Sequence, residues 1–126
     1  MTQIGIIRCE KNEEKCPLTS CFRSMREISE GFQDYESTAP AGVFTCRCPG
    51  EVAVQQARIL KAKGAEAVHF CTCTFARKGP EGWVLEGGGF CDHIDEIIEK
   101  AHAETGIPCV KGTAHLPGGY TVLRWG

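Results

Sequence analysis

A chain of 126 residues, 42% hydrophobic and 24% charged, supports one domain around a single core, residues 1–126, and excludes two lobes with a cleft between them. Fourteen basic against sixteen acidic side chains leave a net charge of −2 with the signs interspersed, so the electrostatic footprint of a nucleic-acid-binding protein is missing. No apolar stretch approaches the roughly 20 residues of a bilayer span, which argues against a membrane partner.

The opening Met1-Thr2-Gln3-Ile4-Gly5-Ile6-Ile7-Arg8-Cys9 has no basic leader, and the expectation is a complete, cytoplasmic chain. Residues 3–8 are β-branched and apolar, a short buried strand ending at Cys9. A polar loop over 10–17 follows, and then Leu18, Phe22, Met25 and Phe32 recur at helical spacing, with Gly31 as the stop. Residues 42–45 read as a second strand, closed by Cys46-Arg47-Cys48-Pro49-Gly50. A second helix starts near Glu51, with Ala53, Ala57 and Leu60 on one face and Gly64 at its end. Residues 67–70 form a third strand, closed by Cys71-Thr72-Cys73.

Residues 74–90 contain Gly79, Pro80, Gly82 and the Gly87-Gly88-Gly89 triplet, a long loop in which Trp83-Val84-Leu85 can pair briefly. The triplet lacks a following Lys-Ser/Thr and is no phosphate loop; a flexible lid or plain connector fits it. Asp92 caps a third helix with Ile94, Ile97, Ile98 and Ala101 as its buried stripe and Gly106 as its stop. Residues 108–111 are a fourth strand running into Gly112-Thr113-Ala114-His115, and 120–125 alternate weakly, as an edge strand or a tail. This order predicts an α/β three-layer sandwich with a small, mostly parallel sheet of the Rossmann/flavodoxin-like kind.

Cysteine is the compositional outlier at nine residues, about 7%. An odd count without an export signal argues against a disulfide framework and for metal ligands or redox groups. In the predicted topology Cys9, Cys46, Cys48, Cys71, Cys73 and His115 each fall just beyond a strand's carboxyl end, where ligand sites of open parallel sheets form. Cys16 and Cys21 fold back over that edge, and Cys91 and His93 open the third helix beside it. Eight cysteines and two histidines are therefore expected to meet in one place. Soft thiolates select zinc, copper(I) or iron–sulfur clusters, and a mixed Cys/His set suits zinc.

Cys9, Cys16-Pro17, Cys21, Gly42-Val43-Phe44-Thr45-Cys46-Arg47-Cys48-Pro49-Gly50, Gly64-Ala65-Glu66-Ala67, Cys73, Cys91-Asp92-His93 and Gly112-Thr113-Ala114-His115 together resemble the CGGC domain family. The resemblance spans Ile4 to His115 and implies a small prokaryotic protein, of a kind common in anaerobes, whose cysteines and histidines bind metal, usually zinc. The family's Cys-Gly-Gly-Cys tetrad is shortened here to Cys46-Arg47-Cys48, and Cys71 is an additional thiol. Both departures point toward a larger or different centre, such as an iron–sulfur cluster. The function expected is metal handling, sensing or electron transfer, with a metal ion or cluster as partner.

The alternative is a thiol-redox or metal-dependent enzyme using the same cysteines. Its weakest form is a phosphatase-like Cys-x5-Arg pair, Cys71 and Arg77, whose loop has no glycine. Outside the site, Cys109 is expected in the core, His69 as a satisfied buried imidazole and His102 solvated. Arg8 and Arg47 flank thiols and are expected to lower their pKa.

Overall fold

Alternating short apolar strands and amphipathic helices leave one economical arrangement, parallel strands joined by right-handed crossovers. The computed structural model describes all residues except 81, 85–88, 90 and 92, and the backbone alone at 77–79 and 83. Its elements are β1 (Thr2–Cys9), α1 (Thr19–Glu27), β2 (Thr38–Cys46), α2 (Val52–Ala62), β3 (Ala67–Phe70), β4 (Arg77–Gly79), β5 (Gly82–Val84), α3 (Ile94–Thr105), β6 (Cys109–Lys111) and β7 (Leu123–Trp125). The main sheet has the order β2-β1-β3-β6-β7, parallel except for β7, while β4 and β5 form a separate antiparallel pair. The expected α/β three-layer sandwich is therefore present, with the C-terminal segment as an edge strand.

Strand alternation divides the core in two. Ile4, Ile6, Ala67 and Cys71 face α1 and pack with Leu18, Cys21, Met25 and Phe32. Ile7, Val68 and Phe70 face the other way, against Ala53, Ala57 and Leu60 of α2 and Ile97, Ile98 and Ala101 of α3. Gly5 makes that second interface close, since a Cβ there would stand 2.8 Å from Leu60 Cδ1. Cys109 is fully buried in the second core, as expected, and burial raises its thiol pKa to about 11.

Several local expectations change. β2 begins at Thr38 rather than 42, because an edge strand tolerates Pro40, whose missing N–H faces away from the ladder. α1 ends at Glu27 with Ile28 left-handed at φ 54°, so Phe32 reaches the core from a separate 3-10 turn, Glu30–Phe32. Gly31 is needed for close approach instead of as a stop: it donates to the Thr113 carbonyl at 2.9 Å, and a Cβ there would lie 2.5 Å from the Gly112 oxygen. Gly31→Ala is expected to lower stability by about 2 kcal/mol in urea unfolding, since backbone on both sides must move.

His102 is half-buried rather than solvated, and its Nδ1–H donates to the Ile107 carbonyl at 2.9 Å, satisfying backbone beyond the helix end. The expected Asp92 cap lies outside the described residues, as do Gly87 and Gly88. Gly89 packs against the Phe75 backbone, where a Cβ would come within 2.4 Å.

Candidate metal centre

All ten expected ligands stand at the carboxyl edge, but the sheet separates them into two hollows of five. Strand side chains alternate faces, so Cys9 follows the parity of Ile7 and Cys71 that of His69. One hollow, about 180 Å³ on the α1 face, is lined by Cys16, Cys21, Cys71, Cys73 and His115 with Thr113. The other, about 110 Å³ on the α2/α3 face, is lined by Cys9, Cys46, Cys48, Cys91 and His93 with Phe70 and Ile94. The two hollows adjoin where Cys73 is hydrogen-bonded by the Cys9 backbone and raises the Cys9 thiol in turn. A larger hollow of about 470 Å³ between α2 and α3 is lined by charged residues including Glu51, Arg58, Lys100 and Glu104, and holds no cysteine.

The α1-face hollow sits at the switch between β1 and β3, where crossovers leave in opposite directions and ligand crevices form. Its floor is hydrogen-bonded into the fold. Cys71 N–H donates to Ile7 O at 3.0 Å, and Thr74 Oγ1 donates to Cys71 O at 2.7 Å. Thr113 N–H donates to Thr72 Oγ1 at 3.2 Å. Cys21, in the first turn of α1, brings its Sγ to 4.0 Å from Cys71 Sγ and 3.1 Å from Thr113 Oγ1.

The three inner thiols share protons. Hydrogen bonding with Cys71 is the main cause that lowers both Cys21 and Cys73 to about 7, against the opposing effect of burial. Cys71 moves the other way, well above the usual thiol value, because it bonds to both neighbours and is buried. One S–H proton serves one thiolate at a time, so Cys71 stays protonated between two thiols poised to ionise. Cys16, half-buried, and His115, exposed at φ 51°, stand at the rim.

On the other face the thiols are harder to ionise. Cys46 is pushed up to about 11, mainly by burial and then by Cys91, Cys9 and Cys48, and burial also raises Cys9. His93 Nε2–H donates to the Pro49 carbonyl at 2.7 Å and ties the Cys46–Gly50 turn to the start of α3. Arg8 and Arg47 are taken up structurally rather than by thiols. Arg8 bonds Thr45 Oγ1 at 3.2 Å and the Cys16 carbonyl at 2.9 Å, and Arg47 pairs with Glu10 at 3.9 Å and Glu13 at 3.6 Å.

Two chemical tests follow from this geometry. Among the described residues no three His, Cys, Asp or Glu side chains already surround one point in metal-ligating geometry. Yet Zn–S bonds of about 2.3 Å in a tetrahedron place two sulfurs about 3.8 Å apart, close to the 4.0 Å of Cys21 and Cys71. The donor pair fits a thiophilic ion, and the rim donors must turn inward to complete it. The phosphatase-like alternative fares worse, since Cys71 is only 2% exposed and its thiol is held protonated. The Arg77 side chain that it requires lies outside the described residues.

A small α/β sandwich with thiol-lined hollows at its carboxyl edge is the class of protein defined so far. The CGGC domain family model matches residues 3–114, and the chain belongs to that family. It is also 37% identical over 123 residues to an uncharacterized protein of Methanocaldococcus jannaschii, covering 90% of this chain and 88% of that one. No solved structure matches the chain. Among the described residues no helix is long and apolar enough to cross a membrane. Family membership and the nine cysteines fit metal binding without specifying a metal.

Proposed function

We propose that this protein binds a thiophilic metal ion in the α1-face hollow, with Cys21 and Cys71 as the paired ligands and two of Cys73, Cys16 and His115 as the donors that complete a four-coordinate shell. The sulfur–sulfur spacing of 4.0 Å between Cys21 and Cys71 carries the reading. Ligating thiols must be thiolates: Cys21 and Cys73 are lowered to about 7, whereas Cys71, raised by its bonds to both neighbours, must release its proton as the ion binds. Zinc is preferred over an iron–sulfur cluster, because four ligands drawn from these four Cys and one His suit a mixed tetrahedral set. Zinc has no redox chemistry, so the role is metal handling or sensing rather than electron transfer. Cys9, Cys46, Cys48, Cys91 and His93 stand outside this ligand set.

Anaerobic purification followed by elemental analysis, and cobalt(II) titration of the metal-free chain, test the reading. Stoichiometric zinc and thiolate-to-cobalt charge-transfer absorption are expected. Iron with sulfide would replace zinc by a cluster, and a chain that retains no metal and gives no cobalt spectrum would overturn the proposal.

A further inference from the structure

The second thiol hollow offers chemistry that a metal in the first does not use. Cys9 ends β1, Cys46 ends β2, and the two are direct partners in the parallel register. Paired residues on neighbouring strands share a face, and strand spacing puts their Cα atoms about 4.8 Å apart, inside the roughly 4.4–6.8 Å range of disulfides. Cβ atoms must draw slightly closer than a regular ladder holds them. Cys46 is the last residue of an edge strand and leads into a turn, so that approach needs no rearrangement of the sheet.

Contacts around the pair keep the strand ends together. Gln56 Nε2 donates to the Thr45 carbonyl at 2.7 Å, Arg8 reaches across to Thr45 Oγ1, and Arg47 pairs with the acidic residues of the segment after Cys9. Both thiols line the same hollow. Cys46 and Cys48, only two residues apart, would close a strained ring instead.

We infer that Cys9 and Cys46 form a reversible cross-strand dithiol/disulfide couple, oxidised by a small-molecule disulfide that reaches them through the α2/α3-face hollow. Cys46, the more accessible of the two, attacks one sulfur of R–S–S–R as its thiolate, which is a small fraction near neutral pH, so the exchange is slow there and faster in alkali. A Cys46–S–S–R bond forms, the R–S–S–R bond breaks, and the leaving thiolate takes the proton that Cys46 gave up. Cys9 then attacks Cys46 Sγ and expels the second RS−, which takes the Cys9 proton. Two protein thiols lose two electrons and two protons, and R–S–S–R becomes two RSH.

The experiment incubates the reduced, metal-free, full-length chain with oxidised glutathione, quenches it in acid, alkylates the remaining thiols and maps the peptides by mass spectrometry. A bridge between the Cys9 and Cys46 peptides is expected as the main intramolecular disulfide, reversed by reduced glutathione. Cys46→Ser, checked for native circular dichroism, should lose it, while Cys48→Ser and Cys109→Ser should keep it. A Cys46–Cys48 or Cys21–Cys71 bridge in its place overturns the inference. So do glutathione adducts without any bridge, or loss of the bridge in Cys48→Ser.

Discussion

Cys71→Ser is expected to lower zinc affinity at least about 100-fold, because even removal of a group behind a ligand costs about 10- to 100-fold and Cys71 is proposed as a ligand itself. The effect follows from its position. Cys71 is 2% exposed, stands 4.0 Å from Cys21 and is hydrogen-bonded to both flanking thiols, so its loss removes the one sulfur pair already at ligand spacing. Serine offers a harder oxygen that stays protonated near neutral pH. The measurement that isolates metal from folding is the rise in melting temperature on adding zinc, since a ligand at 100 times its Kd stabilises by about 2.7 kcal/mol. Wild type and Cys109→Ser should show the rise, and Cys71→Ser should keep at most about 0.4 kcal/mol of it at the same zinc concentration, whatever its starting stability. Should Cys46→Ser lose zinc while Cys71→Ser keeps it, the metal belongs to the α2/α3-face hollow.

Acidification from pH 6.5 to pH 4 is expected to remove about 3 kcal/mol of stability through one residue, His69. Its ring is fully buried, stacked on Phe32 with centroids 4.3 Å apart. Nδ1–H donates to the Gly112 carbonyl at 2.9 Å, which leaves Nε2 to accept from the Tyr35 hydroxyl at 2.7 Å. Burial is the main cause that depresses its pKa from 6.5 to about 4; the Gly112 bond opposes this and Arg124 adds to it. Between those two values the unfolded chain holds a proton that the folded one refuses. Stability from this group is therefore complete above pH 6.5, falls as pH drops through the window, and changes no further below about 4. Urea unfolding of wild type and His69→Gln at several pH values reads the effect, because glutamine can meet both partners without titrating. Parallel pH profiles for the two proteins would show that His69 is not the sensor.

Much of this was legible in the residues because it depends on local chemistry. The third strand, the buried stripes of α2 and α3, the Gly106 stop and the core position of Cys109 all follow from periodicity and propensity within a few residues. So does the placing of thiols at carboxyl ends, since parallel strands joined by crossovers must end on one edge. The end of α1 was not legible. Its apolar spacing continues from Met25 to Phe32, yet Ile28 turns left-handed so that Gly31 can lie against Gly112, a residue 81 positions away.

The division of the thiols belongs to the same class of long-range outcome. Strand alternation contains the signal, since Cys9 and Cys71 follow apolar residues of opposite facing, but it becomes readable only once the register between β1 and β3 is known. Cys73, within the 3-10 turn Thr72–Thr74, lines the same hollow as Cys71. Composition and spacing specify that thiols gather at one edge of the sheet. Which hollow each thiol lines depends on the face its strand end presents, and only the tertiary structure brings Cys73 against the Cys9 backbone where the two hollows meet.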